Sequence, residues 1–139
     1  AYCLRELGYE VLCLREPGGT DIGETLRSIV LDPKNDCLDA HAELFIYEAA
    51  RAQIVAQVIA PALARGAVVL CDRFFDSTVA YQVAGRGLSA QFVDAANAFA
   101  CQGTMPARYS SGAAKSMRED VVGPMAPNGL PAAAGDGPA

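Results

Sequence analysis

The stretch "EVLCLREPGGTDIGE", residues 10–24, contains a strand, a loop and a helix start in immediate succession. The apolar run "EVLCL" has the length of a short buried strand, and the residues after Thr20 have the spacing of a helix. Glycines between a strand and a helix are typical of a phosphate-binding loop, but this loop has no lysine at the expected spacing. The stretch therefore predicts a tight turn at the end of a strand. The ligand of this turn has to be inferred from other segments of the sequence.

A second strand end has the same character. The run "AVVLC", residues 67–71, is apolar and leads directly into "DRFFDSTVAYQ". Between the two strands lie helical patterns, including a long one that Pro61 should kink and Gly66 should close. Strand, helices and strand in this order predict a doubly wound α/β fold with a parallel sheet. Because ligands in such folds bind at the carboxyl ends of strands, both polar segments are expected at one site.

The composition excludes several classes of protein. The chain has 139 residues and a net charge of −5, which argues against a broad nucleic-acid-binding surface. No apolar run is long enough to span a membrane. Five cysteines without a C-x-x-C pair and a single histidine give little support to a zinc site. Cys13 and Cys71 lie in strand-like runs, and we expect buried reduced thiols in a cytoplasmic protein.

Two local patterns give further expectations. Asp21 and Glu24 have the spacing of a capping box at the start of the first long helix. From Thr104 the sequence is rich in Gly, Pro, Ala and Ser, with no clear strand. Such a composition buries little apolar surface, so the tail is expected to be disordered or loosely attached.

Several residues are candidates for chemistry, each with a simpler alternative. Asp72 and Arg73 follow the second strand, where they could bind Mg²⁺ and phosphate or form a structural pair that covers the strand end. Tyr47 and Arg51 are one helical turn apart and could stack on a base and bind its edge. The alternative is a core tyrosine beside a solvated arginine. Arg27 is by default a surface charge.

Taken together, three segments resemble bacterial thymidylate kinases over roughly residues 3–103. The resemblance implies a P-loop nucleoside monophosphate kinase-like, three-layer α/β fold with a parallel sheet. It also implies phosphorylation of dTMP to dTDP with ATP as donor and Mg²⁺ as cofactor, in a homodimer that packs through helices such as the one around Ala42–Leu63. The segments are "REPGGTDIGETLRSIVL", "AELFIYEAARAQIVAQVIAPALARGAVVLCDRFFDSTVAYQVAGRGL" and "NAFACQG".

The resemblance also implies roles for the two catalytic candidates and for the binding residues. Arg73 would hold the substrate phosphate and reach toward the transferred group, and Asp72 would organise Mg²⁺ through water. Among the substrate-binding residues, Glu16 would meet the sugar 3′-hydroxyl and Arg27 would help bind the monophosphate. Tyr47 would stack on the face of thymine and Arg51 would read its edge, while Thr78 and Gln82 would contact the base or hold neighbouring side chains. Tyr81 would form the wall against the sugar and help to reject a ribose 2′-hydroxyl.

The sequence departs from the family pattern in two places. The family has a strand and a G-x-x-x-x-G-K-[ST] loop for ATP ahead of the matching segments, and no such pattern occurs in these 139 residues. After Pro106 the family continues with a strand and an arginine-bearing lid, which "ARYSSGAAKSM" does not resemble. We therefore expect an incomplete fold, with a partial kinase domain over residues 1–103 and a disordered or frameshifted tail over residues 104–139.

These departures leave three functional hypotheses open. In the first hypothesis, the chain is a thymidylate kinase that catalyses poorly by itself because it lacks the loop that binds the phosphate donor. Alternatively, it is another nucleoside monophosphate or deoxynucleoside kinase. The third hypothesis is a non-catalytic nucleotide-binding remnant.

Overall fold

The computed structural model describes residues 1–106, 108–109 and 119–122. Its strands are β1 (Val11–Arg15), β2 (Val68–Asp72), β3 (Arg108–Tyr109) and β4 (Glu119–Val122). Its α-helices are α1 (Tyr2–Glu6), α2 (Asp21–Leu31), α3 (Ala40–Ile54), α4 (Ala60–Ala64), α5 (Phe75–Thr78) and α6 (Ala90–Cys101). A 3₁₀ turn at Pro33–Asn35 and π-helical segments at Val55–Ile59 and Val79–Gly85 connect them.

The sheet has the strand order β1-β2-β4-β3. β1 and β2 are parallel, with Arg15 opposite Asp72 at their carboxyl ends. The predicted α/β fold is confirmed, and of its predicted parallel sheet the described residues show this one parallel pair. β4 pairs antiparallel with β2, and β3 pairs antiparallel with β4. The expectation of a tail without strands is wrong for β3 and β4, whose pairing with β2 is a tertiary contact that local composition does not reveal. Apart from these strands, the predicted tail after Pro106 lies outside the described residues.

β2 is the centre of the hydrophobic core. Four of its five residues are buried, and Val69 and Cys71 pack with Ile54 and Ile59 from the long helical region and with Phe74 after the strand. A run of small branched side chains is typical of a strand that is covered on both faces. The core therefore lies against the strand whose last residue, Asp72, is a predicted site residue.

The long helical region is interrupted ahead of Pro61, as predicted. Proline has no N–H for the helical hydrogen bond, and its ring clashes with the carbonyl of Gln57 one turn earlier. The chain accommodates this by widening into the π-helical segment Val55–Ile59 before α4 begins. Gly66 then ends the region with φ +84°, a conformation that suits glycine.

The loop after β1 is held by the start of α2. The N-cap of α2 is Thr20, whose Oγ1 accepts a hydrogen bond from the Gly23 amide at 2.9 Å. The predicted cap at Asp21 is therefore wrong by one residue. Glu24 instead reaches back to the amide of Gly19, at 2.8 Å. This bond fixes the glycine turn relative to the helix.

The cysteines divide into two groups. Cys71 and Cys101 are buried, whereas Cys13, predicted to be buried, is exposed, because the packing that buries Val11 on the same face of β1 does not extend to it. Burial raises the pKa of the Cys101 thiol to about 11, so this group stays protonated at neutral pH. Within the described part of the chain, no helix has both the length and the apolar character needed to cross a membrane.

Candidate functional site

A cavity of about 560 Å³ lies at the carboxyl ends of β1 and β2. All of the predicted site residues line it: Glu16, Arg27, Tyr47, Arg51, Asp72, Arg73, Thr78, Tyr81 and Gln82. The two strand ends meet directly, since the amide of Glu16 donates to the carbonyl of Asp72 at 3.1 Å. The expectation that the two polar segments lie together at the carboxyl ends of the strands is therefore confirmed, and their use as a binding site stays a prediction.

The cavity wall is cationic although the whole chain is acidic. Five arginines and three acidic residues line it, while the net charge of the chain is −5. A local excess of guanidinium groups favours an anionic ligand, because arginine binds phosphate and carboxylate groups with two parallel hydrogen bonds.

Arg51 is the centre of a buried polar network. Its Nε donates to Glu16 Oε2 at 2.9 Å, and its Nη2 donates to Thr78 Oγ1 at 2.9 Å. Its Nη1 donates to Glu48 Oε1 at 2.8 Å and to Asn97 Oδ1 at 2.6 Å. The alternative of a solvated arginine is wrong, because only 3% of the Arg51 side chain is exposed. Its predicted contact with the base edge stays a prediction.

The two carboxyl groups of this network contact Arg51 in different ways. Burial raises the pKa of Glu48, and the attraction of Arg51 only partly offsets that effect. Glu16 lies 2.8 Å from Arg51 Nη2 through the same Oε2 that accepts from Nε. Oε2 thus lies against two nitrogens of one guanidinium, and this close opposite charge offsets part of the cost of burying the carboxylate.

Arg73 has an unusual backbone conformation for a residue with a side chain. Its φ is +67°, in the left-handed region that side chains disfavour. Its Nη1 donates to the Tyr81 hydroxyl at 3.2 Å, and its guanidinium lies 5.7 Å from the centre of the Tyr81 ring. A strained residue at a strand end, with its guanidinium in the cavity, is typical of a functional position. The predicted phosphate contact is not tested by this geometry.

Arg27 is not a plain surface charge. Its Nη1 donates to the carbonyl of Pro17 at 2.8 Å, and its side chain lines the cavity. Arg15 donates to the same carbonyl at 3.3 Å and holds both carboxylate oxygens of Glu24, at 3.0 and 3.1 Å. Two arginines thus fix the turn after β1.

On the opposite wall, Glu43 joins α3 to the segment that carries Gln82. Its Oε1 accepts from Gln82 Nε2 at 2.8 Å, and its Oε2 accepts from Arg86 Nη2 at 2.7 Å. Glu43 lies one helical turn before Tyr47, a half-buried cavity residue. Burial, and then the negative charge of Glu43, raise the pKa of the Tyr47 hydroxyl, so this group is a neutral hydrogen-bonding phenol at physiological pH.

The metal-binding groups of the cavity suit a metal ion that is bound mainly through a phosphate-bearing molecule in the cavity. Among the described residues, no group of three or more His, Cys, Asp or Glu side chains converges as a metal site. Asp72 offers one carboxylate at the cavity wall. One carboxylate together with phosphate oxygens and water is the usual environment of Mg²⁺, which keeps most of its water ligands. The cavity thus fits Mg²⁺ only together with a phosphate-bearing ligand.

Sequence reasoning missed several residues of the site. Glu48 and Glu43 were detectable from helical spacing, since they lie three and eight residues before Arg51. Arg15 stands in the quoted loop itself. Asn97 gave no local signal, because its contact with Arg51 spans 46 residues and depends on how α6 packs on α3.

Comparison with known proteins agrees with this arrangement. The profile of the family described as thymidylate kinase matches residues 1–108. The thymidylate kinase of Pelobacter propionicus is 52% identical over 103 residues, covering 74% of this chain and 47% of that protein. The thymidylate kinase of Pseudomonas fluorescens strain Pf-5 is 60% identical over 86 residues, covering 62% and 41%.

A solved structure supports the same assignment. The crystal structure of thymidylate kinase from Ehrlichia chaffeensis superposes with a TM-score of 0.66 and 36% identity, over 71% of this chain and 56% of that one. The chain spans about half the length of the curated relatives it matches. The extent of the profile match and the shared fold together show that the chain belongs to the thymidylate kinase family.

Proposed function

We propose that this chain forms the acceptor-nucleotide side of an enzyme that phosphorylates dTMP to dTDP with ATP. The observation that carries the proposal is the convergence of all the predicted site residues on one cavity at the carboxyl ends of two parallel strands. Phosphoryl transfer depends mainly on positioning and on charge neutralisation. A cationic cavity with aromatic walls is suited to both tasks.

The phosphate of dTMP binds at Arg73 and Arg27 in this proposal. Arg73 lies beside Asp72 at the end of β2, and its guanidinium is anchored to Tyr81. Arg27 uses one nitrogen for the Pro17 carbonyl, which leaves Nη2 and Nε to approach the phosphate. Both arginines contribute charge where the acceptor phosphate becomes a nucleophile.

The thymidine part binds between the two aromatic walls. Tyr47 stacks on the face of thymine, and Tyr81 packs against the sugar at the position that a ribose 2′-hydroxyl would occupy. Arg51 and its neighbours Thr78 and Gln82 form the base-facing wall, and Glu16 faces the sugar 3′-hydroxyl. This arrangement is supported by the common cavity and by the helical turn between Tyr47 and Arg51.

Mg²⁺ supplies charge neutralisation between the donor and acceptor phosphates when it is bound. Asp72 would hold the ion through water, since its carboxylate lies at the cavity wall beside Arg73. The adjacent guanidinium and carboxylate thereby position the two phosphate groups relative to each other.

Titration calorimetry of the chain tests the acceptor site. We expect dTMP to bind more tightly than uridine or adenosine monophosphate, because uridine monophosphate adds a 2′-hydroxyl and a purine exceeds the base pocket. R73A should weaken dTMP binding by about 10- to 100-fold, the loss of one or two charge-assisted hydrogen bonds. R65A is the matched control, because Arg65 pairs with Glu10 outside the cavity. Equal affinity for all three nucleotides would contradict the proposal.

Chromatographic detection of dTDP from dTMP, ATP and Mg²⁺ tests the transfer step. Selective binding of dTMP without any dTDP would favour the second candidate, a nucleotide-binding protein without turnover. The observation that favours it is the lack of a G-x-x-x-x-G-K-[ST] pattern in the 139 residues.

We also propose a homodimer that packs through the helical region around Ala42–Leu63. Phe45 on α3 is 56% exposed and contacts Phe92 on α6 edge-to-face, at 6.1 Å between ring centres. An exposed aromatic pair on a helical face is suited to an interface. Sedimentation velocity should show a dimer that F45E converts to monomers.

Two further proposals concern location and boundaries. We place the protein in the cytoplasm, which cell fractionation tests. We place the kinase unit at residues 1–103 and the separate tail at residues 104–139, with a frameshift near Pro106 as the origin of the tail. Sequencing the encoding DNA in both directions tests that origin, because an uninterrupted frame matching this sequence would exclude it.

A further inference from the structure

Arg51 divides its hydrogen bonds between the cavity wall and the region behind it. Both hydrogens of Nη1 are taken by Glu48 and Asn97, at 2.8 and 2.6 Å. Neither residue lines the cavity. Nε and Nη2 instead bind Glu16 and Thr78, which do line it.

This division fixes the plane of the guanidinium. A guanidinium has five N–H groups in a rigid planar fork, and Arg51 donates four hydrogen bonds through them, two from Nη1, one from Nε and one from Nη2. A base in the cavity therefore meets Glu16 and Thr78, two partners of Arg51, beside the guanidinium itself. Because Thr78 accepts from Nη2, its own hydroxyl hydrogen points away from the guanidinium and can donate to a carbonyl oxygen of a ligand.

We propose that Glu48 and Asn97 are positioning residues, which hold Arg51 from behind so that Thr78 and Glu16 face a bound nucleoside in a fixed orientation. The proposal rests on the proposed function, since it assigns the network to recognition of a pyrimidine carbonyl. In this role Arg51 orients Thr78 and is also part of the base-facing wall.

The charges of the network explain why both positioning residues are needed. Only 3% of Arg51 and 8% of Glu48 are exposed, so water cannot replace a lost partner at Nη1. An Nη1 without its acceptors would turn toward any remaining oxygen, and Thr78 and Glu16 are the oxygens within reach. The guanidinium plane would thus rotate and change the cavity wall.

The test compares dTMP with 2-deoxyribose 5-phosphate, which has the same sugar and phosphate without a base. The ratio of the two dissociation constants isolates the contribution of the base. We expect this ratio to fall about tenfold in N97A and E48A, the loss of one buried hydrogen bond to a charged group. E48Q should retain most of the ratio, because an amide oxygen can still accept from Nη1 and the Arg51–Glu16 pair remains neutral.

V93A is the matched control. Val93 is fully buried on α6, one turn before Asn97. Its truncation should lower the melting temperature and leave the ratio unchanged. A network that only stabilises the fold would make N97A behave like V93A.

The outcomes separate the two proposals. A large ratio in the unmodified chain that N97A and E48A leave unchanged overturns the positioning roles alone. If E48Q and E48A lower the ratio of dissociation constants equally, the positioning roles are also overturned, because the effect then comes from the charge of Glu48 and not from its hydrogen bond. If the unmodified chain binds dTMP no better than the base-free phosphate, the proposed function fails and the inference fails with it. N97A decides even if E48A does not fold, because it removes no charge.

Discussion

Arg51 and Glu16 form an ion pair that joins α3 to the loop after β1, with Nη2 2.8 Å from Oε2 and no more than 5% of either side chain exposed. The pair connects residues 35 positions apart. Glu48 places a second carboxylate on the same guanidinium, at 2.8 Å. The cavity wall thus depends on one buried cation.

Replacing this cation should destabilise the fold strongly. R51M leaves two buried carboxylates without their partner, and breaking a buried pair in this way costs about 3–5 kcal/mol. R65M is the control, because Arg65 and Glu10 are also 2.8 Å apart but about half exposed. Urea denaturation should show a large loss for R51M and almost none for R65M. Similar losses in the two variants would contradict the energetic importance of burial.

Glu48 should make the chain less stable as the pH rises. Burial raises its pKa above the ordinary 4.5, so the folded state binds this proton more tightly than the unfolded state. The corresponding stability is complete below pH 4.5 and is lost as the pH rises through the folded-state pKa. Denaturation at several pH values should show that E48Q gains stability relative to the unmodified chain over this range.

Glu24 provides the opposite case for comparison. The Gly19 amide and then Arg15 lower its pKa below 4.5. Its contribution is therefore present above pH 4.5 and is lost as the pH falls through the folded-state pKa. E24Q should therefore lose less stability than the unmodified chain as the pH falls. If E24Q and E48Q changed the pH dependence of stability in the same direction, the pKa shifts assigned to Glu24 and Glu48 would both be contradicted.

Arg73 allows backbone strain to be separated from function. Its φ of +67° favours glycine, so R73G should be more stable than R73A by about 1 kcal/mol. Both variants remove the guanidinium and should lose dTMP affinity equally. Denaturation and calorimetry on the same samples check this. Equal stability of the two variants would show that the left-handed conformation at this position does not destabilise the fold.

Local sequence patterns predicted the parts of the site that depend on one element. The helical turn between Tyr47 and Arg51 placed both on the cavity, and the apolar run of β2 placed Asp72 at a strand end. The N-cap was misplaced because Thr20 and Asp21 are both good caps and only the backbone conformation decides between them.

Contacts between distant elements were beyond such patterns. Asn97 reaches Arg51 only because α6 packs on α3, and β4 joins β2 although its local composition gives no strand signal. Cys13 has the sequence surroundings of a buried strand residue, and it is exposed because the packing that covers Val11 on the same face of β1 does not reach it. In each case the deciding information is the packing of one element on another.

Gly19 is the residue of the quoted loop whose replacement should be least tolerated. Its φ is +80°, and a methyl group there would overlap Cδ1 of Ile54 in the core. We expect G19A to lose about 2–4 kcal/mol, of which about 1–2 kcal/mol is left-handed strain and the rest is overpacking. G8A is the control for strain alone, since Gly8 has φ +87° and nothing within 4 Å of the added methyl.

The clash with Ile54 can be measured separately by a double-mutant cycle. I54V removes Cδ1 and by itself should cost about 0.5–1.5 kcal/mol. Combined with G19A it should cost less than the sum of the two single changes, because the smaller side chain leaves room for the added methyl. Additive losses, or a G19A loss no larger than that of G8A, would mean that the loop moves away from α3 instead. In that event the turn after β1 would not be held against Ile54, and the position of Glu16 would rest on its pair with Arg51.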